Sequence, residues 1–278
     1  MRPLITPDEL SQLLGRAELV LLDASYQLGR PGWGRGQYRQ AHLPGAVFVD
    51  VDTELAAPVA PGTVGGRHPL PGAAVFQAAM RRAGVCPDSH VVAYDQSGSL
   101  AAARLWWLLR HHGHDAVQVL DGGLAGWRRA GHPVTDQAAE PAPGSFTAAP
   151  GRLAVVDAEQ VPGLLAGGHA VFDVRAPERF HGHSEPIDPV AGHIPGATNL
   201  PASGLQQAGG SFLPPGELAD RLAGMRPGDA VSCGSGLTAC QVQLAAASAG
   251  IEHLALYAGS WSDWISDPTR PVATDGGD

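Results

Sequence analysis

The sequence predicts an α/β protein made of two tandem domains, each a mostly parallel sheet with helices on both faces. Short apolar runs alternate with helix-like segments along the 278 residues, and the whole alternation occurs twice. Apolar runs separated by helices are typical of strands buried on both faces of a parallel sheet. Hydrophobic residues make up 44% of the chain, which is enough for the cores of two ordinary domains.

The predicted strands follow one another at similar spacing in each copy. They are LVLLD (19–23), HVVAYD (90–95) and VQVLD (117–121), then AVFDV (170–174), AVSC (230–233) and LALYAG (254–259). Between them, AAARLWWLLRHHG (101–113) places Leu105, Leu108 and Leu109 at helical spacing, with Gly113 as a stop. Ligand sites in parallel sheets lie beyond the carboxyl ends of the strands, so residues directly after each run are the site candidates.

The alternation is a duplicated domain rather than a solenoid repeat. The segment 91–127 pairs with 230–264, and each copy carries the motif H-[LI]-P-G-A, at His42 and at His193. The segment TDQAAEPAPGSFTAAPGR (135–152) is rich in Ala and Pro, which suits a semi-extended linker. We therefore expect a first domain over 1–135, a linker over 136–151 and a second domain over 152–278.

Composition excludes several function classes. The net charge of -9 disfavours a nucleic-acid or anionic-membrane surface, and no apolar run approaches the ~20 residues of a membrane span. Asp8 and Glu9 stand where a signal peptide needs apolar residues, so we expect a cytoplasmic protein. All 18 basic residues are Arg, which excludes a lysine-dependent phosphate loop, a pyridoxal Schiff base and a lysine nucleophile.

Metal binding is also not expected. Three scattered cysteines do not make a zinc site or a disulfide framework. The runs HHGH (111–114) and HGH (181–183) have no Cys or carboxylate partner at ligand spacing, so we predict exposed loop histidines there.

Cys233 is the strongest candidate for a reactive group. It stands at the end of a short strand, and Gly-Ser-Gly (234–236) leads from it into a helix. Gly234 and Gly236 let successive backbone N–H groups point inward, and the positive end of the helix adds to this anion nest. Such a nest stabilises a thiolate and could equally hold the outer sulfur of a persulfide.

Two other interpretations of Cys233 compete with this one. Unpaired cysteines are often packed in cores, and we expect that role for Cys240 inside the following helix. Cysteine phosphatases use C-x5-R, but Ala239 stands where their arginine would be. The position that matches Cys233 in the first copy is Asp95, so we expect only the second domain to be catalytic.

The segment Cys-Gly-Ser-Gly-Leu-Thr-Ala (233–239), the two H-[LI]-P-G-A motifs and the first copy without a nucleophile resemble the tandem-domain rhodanese family. Thiosulfate sulfurtransferases of that family typically have a Cys-Arg-Lys-Gly type of loop. The 3-mercaptopyruvate sulfurtransferases have Cys-Gly-Ser-Gly-Val-Thr-Ala, and this chain differs from that loop only at Leu237.

The resemblance implies a role for several residues. Cys233 would attack the sulfur of 3-mercaptopyruvate and release pyruvate, while the N–H groups of Gly234 to Thr238, including Gly236 and Leu237, hold the sulfane sulfur. Ser235 would take part in a proton relay with His68 and Asp52, which lie in the matching stretch of the first copy. No cofactor is implied. The sulfur acceptor would be a small thiol, a thioredoxin-like protein or cyanide.

Two arginines follow the strand AVFDV, where a substrate carboxylate could be bound. The resemblance favours Arg175 for that role, and Arg179 is added by proximity, although it could instead pair with Glu178 or Glu185.

Two rival functions stay open at this stage. A thiosulfate:cyanide sulfurtransferase would use the same cysteine, but positions 234–236 hold no basic residue. A rhodanese-like binding or regulatory module would recognise a partner or store sulfur in its cleft without catalysing a reaction.

Overall fold

The computed structural model describes residues 1–59 and 66–274, which form two compact units. Unit 1 comprises Met1–Ala57, Pro71–Arg152 and Gln206–Leu213. Unit 2 comprises the described parts of Pro58–Leu70, Leu153–Leu205 and Pro214–Asp278. Each unit is built mainly from one of the two sequence copies, and each receives one short segment from the other copy.

Unit 1 contains a parallel five-stranded sheet in the order β1-β5-β4-β2-β3. In chain order its elements are β1 (Leu4–Ile5), α1 (Pro7–Ser11), β2 (Leu19–Asp23), α2 (Trp33–Gln40), β3 (Val47–Phe48), α3 (Val51–Glu54), α4 (Ala73–Arg82), β4 (His90–Tyr94), α5 (Leu100–His111), β5 (Val117–Leu120) and α6 (Gly123–Arg129).

Unit 2 repeats this sheet, again parallel, in the order β6-β10-β9-β7-β8. Its elements are β6 (Val155–Val156), α7 (Val161–Ala166), β7 (Val171–Asp173), α8 (Pro177–Phe180), β8 (Thr198–Asn199), a 3-10 turn (Ala202–Leu205), α9 (Pro215–Arg221), β9 (Ala230–Ser232), α10 (Leu237–Ser248), β10 (Ala255–Tyr257) and α11 (Ser260–Trp264). Each strand of unit 1 thus has its counterpart five strands later. The predicted fold class is confirmed.

Corresponding side chains in the two copies make the same kind of hydrogen bond, each within its own copy. The indole N–H of Trp127 donates to Pro133 O at 2.7 Å, and that of Trp264 donates to Pro271 O at 2.8 Å. In the H-[LI]-P-G-A motifs, His42 Nδ1 lies 2.6 Å from Tyr38 O, and His193 Nδ1 lies 2.8 Å from Phe180 O. These motifs therefore hold loops in place in both copies, including the copy without the cysteine.

The strands are buried because helices cover the sheet that they form. β4 and β5 carry buried side chains at nearly every position, which is why their sequences are apolar runs without alternation. Trp127 packs with Leu10, Leu21, Val92 and other apolar residues in the core of unit 1, and Trp261 and Trp264 belong to the core of unit 2. Parallel strands put their carboxyl ends at one edge of each sheet.

The predicted linker is packed against unit 1 rather than free. Gly144 N donates to Arg81 O at 2.7 Å, and Phe146 N donates to Val85 O at 3.0 Å. The Phe146 ring is buried and meets Phe76 edge-on at 5.9 Å. The limits 1–135, 136–151 and 152–278 stay predictions for the two domains.

The prediction of exposed histidines at 111–114 is wrong. His111, His112 and His114 are all buried, and the His112 ring stacks on Phe76 at 4.9 Å. Burial, with a smaller effect from the charge of His111, lowers the pKa of His112 to about 4. An imidazole ring can serve as a flat apolar wall as long as it stays neutral, which the sequence pattern does not reveal.

No helix within residues 1–59 and 66–274 is long and apolar enough to cross a membrane. Over the same residues, no three His, Cys, Asp or Glu side chains are grouped as a metal ion would require.

His112 makes the stability of the protein sensitive to acid. Because folding disfavours its protonated form, the unfolded chain takes up the proton first, and the free energy of unfolding falls between about pH 6.5 and pH 4. The loss from this residue is at most about 3 kcal/mol. We expect His112→Phe to flatten the pH dependence of urea unfolding in this range. The exposed His183 provides the control His183→Gln, and equal slopes in the two variants would contradict the prediction.

Candidate active site

Cys233 is the first residue beyond the carboxyl end of β9, as the sequence predicts. β9 lies inside the sheet, between β10 and β7. The residues that follow these two neighbours therefore reach the same edge as the cysteine. Cys233 is 1% exposed, so its thiol is held among protein atoms rather than in open solvent.

The loop after Cys233 forms the predicted nest of backbone donors. Cys233 Sγ accepts hydrogen bonds from Ser235 N at 3.5 Å and from Gly236 N at 3.1 Å. Gly236 has φ +86°, and a Cβ there would overlap the carbonyl oxygen of Ala258. Only glycine allows both the left-handed turn and this close approach, and α10 starts at the next residue. Leu237 and Thr238 begin that helix, and their contact with a sulfane sulfur stays a prediction.

Ser260 also holds the nucleophile, and sequence reasoning missed it. Its Oγ accepts from Cys233 N at 3.0 Å, donates to Tyr257 O at 2.8 Å and lies 3.9 Å from Cys233 Sγ. The residue has φ +53°, in the left-handed region. A signal was present, because Ser260 closely follows an apolar run, where site residues of a parallel sheet are found.

The matching loop of unit 1 fills its own nest. The Asp95 carboxylate accepts hydrogen bonds from Ser99 N at 3.1 Å, Ala101 N at 3.0 Å and Ala102 N at 3.3 Å. Burial raises the pKa of Asp95 to about 7, although these hydrogen bonds oppose the rise. Backbone N–H groups of the first-copy loop are thus taken by a side chain of that loop, and an aspartate stands where the second copy has its cysteine.

His68 and Ser235 are brought together, as the sequence predicts, although 166 residues separate them. His68 Nδ1 lies 2.8 Å from Ser235 Oγ. His68 belongs to the segment Pro58–Leu70, which is part of unit 2, and the preceding residue anchors that segment because Arg67 N donates to Ser262 Oγ at 3.0 Å. The Ser235 hydroxyl, two residues after Cys233, thus has the imidazole of His68 within hydrogen-bonding distance.

Asp52, the third predicted member of the relay, is an exposed residue of α3 in unit 1. Its backbone N–H donates to Asp50 Oδ1 at 3.0 Å. Partial desolvation, with the charge of Asp50 adding to it, raises the pKa of Asp52. Its place in the relay stays a prediction.

The guanidinium of Arg175 forms hydrogen bonds with several groups of the protein itself. Nε and Nη2 donate to Asp173 at 2.6–3.0 Å, Nη2 also donates to Gly192 O at 2.6 Å, and Nη1 donates to Glu185 at 3.3 Å. The guanidinium lies 4.6 Å from the Trp261 ring, and the side chain is 1% exposed. Almost all of its donors are therefore used within the protein, and binding of a substrate carboxylate by Arg175 stays a prediction.

Arg179 stands closer to the cysteine loop. A Cβ at Gly234 would lie 3.5 Å from Arg179 Nη2 and 3.7 Å from Nη1. Arg179 pairs with Glu185 at 2.9 Å and with Asp188 at 2.9 Å, so the alternative partner Glu185 is the one that the structure contains. Burial acts to raise the pKa of Glu185, but hydrogen bonds from Arg179 and from backbone amides outweigh it and hold that pKa below its usual range.

Arg67 is a second arginine at this loop, and sequence reasoning missed it. A Cβ at Gly234 would lie 3.0 Å from Arg67 Nη2, and Arg67 Nη1 forms an ion pair with Asp188. The available signal was indirect: Arg67 directly precedes His68, which the family resemblance places in a relay with Ser235 of this loop. The absence of basic residues from 234–236 therefore does not mean an absence of positive charge beside Cys233.

Gly236→Ala tests the nest against a matched glycine. Gly250 has φ +81° but open space at its Cβ, so Gly250→Ala costs only the strain of a left-handed alanine, about 1 kcal/mol. We expect Gly236→Ala to cost more and to slow alkylation of Cys233 by iodoacetamide at pH 7, because the N–H donors move off the sulfur. Urea unfolding and mass-spectrometric rates measure both, and equal effects in the two variants would contradict the role of the nest.

Comparison with known proteins agrees with this architecture. Residues 6–130 and 157–267 each match the Rhodanese-like domain. A Pseudomonas aeruginosa protein named "Probable 3-mercaptopyruvate sulfurtransferase" is 43% identical, over 98% of this chain and 98% of its own. A Mycobacterium tuberculosis protein named "Putative thiosulfate sulfurtransferase SseB" is 42% identical, over 97% of this chain and 96% of its own.

A solved structure extends the agreement to the backbone. The crystal structure of SseA from Escherichia coli aligns with this chain with a TM-score of 0.80. That structure is described as showing the rhodanese fold of 3-mercaptopyruvate sulfotransferases. It is 33% identical in sequence, and the alignment covers 94% of this chain and 100% of that one. With two matched regions, two sheets of the same strand order and a cysteine at the end of β9, the chain belongs to the rhodanese family as a protein of two tandem rhodanese-like domains.

Proposed function

We propose that the protein is a sulfurtransferase that takes sulfur from 3-mercaptopyruvate, carries it as a persulfide on Cys233 and passes it to a thiol or to cyanide. One observation carries the proposal. Cys233 Sγ accepts hydrogen bonds from the backbone N–H groups of Ser235 and Gly236, and the hydroxyl of the same Ser235 lies 2.8 Å from His68 Nδ1. The predicted nucleophile thus lies in an anion nest, and the residue that supplies one of the nest donors carries a hydroxyl in contact with a histidine.

In the first half-reaction, the Cys233 thiolate attacks the sulfur of 3-mercaptopyruvate. An S–S bond forms, the C–S bond breaks, and its electron pair leaves on carbon as the enolate of pyruvate. One proton converts the enolate to pyruvate. The hydroxyl of Ser235 and the imidazole of His68 are placed to deliver that proton, or to accept the one that the donor thiol or Cys233 gives up.

In the second half-reaction, an acceptor thiolate or cyanide attacks the outer sulfur of the persulfide. The S–S bond breaks, its electron pair returns to Cys233 Sγ, and the product is the acceptor persulfide or thiocyanate. The N–H groups of Ser235 and Gly236 stabilise the thiolate that is regenerated. A small thiol or a thioredoxin-like protein is the acceptor that we expect, in a cytoplasmic setting that keeps such thiols reduced.

Thiosulfate is the second candidate donor, and a specific observation favours it. Arg67 and Arg179 both reach Gly234, next to the nucleophile, and guanidinium groups bind sulfur oxyanions as well as carboxylates. One relative that is 42% identical is also named for thiosulfate. The neutral loop and the balanced charge around the arginines favour the singly charged donor, 3-mercaptopyruvate.

The donor assay decides between these functions. We expect kcat/KM for pyruvate release from 3-mercaptopyruvate, with a thiol acceptor, to exceed that for thiosulfate with cyanide by at least about tenfold. Cys233→Ser should abolish both, because no other group of the loop can form the persulfide. A preference for thiosulfate would reverse the assignment of the donor. Absence of turnover and of persulfide on Cys233 with either donor would favour the binding or regulatory module instead.

The relay makes a separate prediction about additivity. Ser235→Ala and His68→Gln should each lower kcat for 3-mercaptopyruvate by about 10²-fold, since one proton transfer is lost. The double variant should be no slower than the slower single variant, because the two side chains act as one unit. His183→Gln is the control. Effects that multiply in the double variant would show two independent roles, and full activity of Asp52→Asn would remove Asp52 from the relay.

A further inference from the structure

We infer that Arg67 is a substrate-binding and specificity-determining residue, which with Arg179 holds the anionic group of the sulfur donor above Cys233. The inference rests on the proposed function for the identity of the donor, but not for the location of the site. It gives the segment before His68 a second task, which is to supply positive charge that the cysteine loop lacks.

The first argument is position. Gly234 follows Cys233 directly, and the ideal Cβ position on Gly234 is 3.0 Å from Arg67 Nη2 and 3.5 Å from Arg179 Nη2. The two guanidinium groups thus lie on the side of Gly234 where a side chain would project, one residue from Cys233. An anionic group that they bind is placed beside Cys233 Sγ, which is where the carboxylate end of a short donor must lie for its sulfur to be attacked.

The second argument is the availability of donors. Arg67 Nη1 is paired with Asp188, whereas the buried Nε finds no hydrogen-bond partner within the part of the chain that the structure describes. Nε and Nη2 form the side edge of a guanidinium, and that edge binds a carboxylate through two parallel hydrogen bonds. Nε is itself shielded from solvent, but the Arg67 side chain as a whole is 28% exposed and that of Arg175 only 1%, so the guanidinium of Arg67 is the one that an anion can approach.

The third argument is that Arg67 is held in place. Its backbone N–H donates to Ser262 Oγ, and Ser262 N donates to Gly234 O at 3.0 Å, so the arginine and the cysteine loop are tied to the same serine. Asp188, with a side chain that is 2% exposed, bridges Arg67 and Arg179 and sets their spacing. An arginine oriented before binding loses little freedom when the anion arrives.

The charge of this group also bears on specificity. Arg67, Arg175 and Arg179 are ion-paired with Asp173, Glu185 and Asp188, so the six residues together are neutral. The charge of a bound donor adds to a group that is already neutral. A doubly charged donor such as thiosulfate is therefore less favourable there than a singly charged one. Asp188 therefore favours a monoanionic donor over a dianionic one.

The test uses alkylation of Cys233, which does not depend on sulfur transfer. Iodoacetate carries a carboxylate and iodoacetamide is its neutral counterpart, so the ratio of their second-order rate constants at Cys233 reports binding of the carboxylate beside the thiol. We expect Arg67→Gln to lower this ratio by about tenfold. The exposed Arg226 supplies the control Arg226→Gln, which should leave the ratio at the wild-type value. An unchanged ratio in Arg67→Gln would overturn the inference.

A double variant separates direct contact from net charge. Arg67→Gln with Asp188→Asn restores the neutrality of the group but not the donors of Arg67. If the ratio stays low, Arg67 contacts the anion, and if it returns to the wild-type value, Arg67 acts only through charge and the inference fails. Should Arg67→Gln not fold, as judged by urea unfolding, Arg67→Lys keeps the charge without the two-donor edge, and we expect a fall of at least about threefold.

The donor assay then tests specificity. Arg67→Gln should raise KM for 3-mercaptopyruvate by about tenfold with little change in kcat, because the lost contact is the same in ground and transition states. Asp188→Asn should raise kcat/KM for thiosulfate relative to 3-mercaptopyruvate, and an unchanged donor ratio would contradict the charge argument. If neither donor is used but the alkylation ratios behave as expected, the proposed function fails while the anion site stands.

Discussion

The hydrogen bonds from Ser235 N and Gly236 N to Cys233 Sγ are the interaction on which the rest of the site depends. A sulfur that is 1% exposed can carry negative charge only where fixed donors replace water. The loop has no basic side chain, so the backbone must supply those donors. That requirement explains the left-handed Gly236, the helix that begins directly after it, and Ser260, which holds the backbone of the cysteine from the neighbouring strand end.

A second constraint comes from burying charges near this sulfur. Guanidinium groups of three arginines stand at one sheet edge, and three carboxylates pair with them, because an unpaired buried charge would destabilise the fold. The pairing separates their tasks. Arg175 is enclosed and supports the loop that ends at Gly192, whereas Arg67 and Arg179 keep atoms directed at Gly234. One ion-pair network thus contains an enclosed arginine and two arginines that lie beside the cysteine loop.

The duplication shows how one scaffold can hold different chemical groups at matching positions. Both copies have the same strand order and the same bracing by tryptophan and histidine. At matching positions, the Asp95 carboxyl accepts three backbone N–H bonds in the first copy and Cys233 Sγ accepts two in the second. The donors follow Asp95 by four, six and seven residues but follow Cys233 by two and three, so each loop arranges its N–H groups around its own side chain.

The sequence by itself determined the fold class, the duplication, Cys233 with its glycine loop, and the absence of a nucleophile at Asp95. These features depend on local patterns, namely apolar runs, the spacing of the repeated motifs and glycines at a tight turn. The approach of His68 to Ser235 also followed from sequence, but only through family resemblance. The tertiary structure alone decided which arginine is enclosed and which lies beside the cysteine loop. Arg175 directly follows its strand and is enclosed by acids, whereas Arg67 is far away in the chain and lies beside Gly234. Ion pairing and loop placement depend on contacts that sequence spacing does not encode.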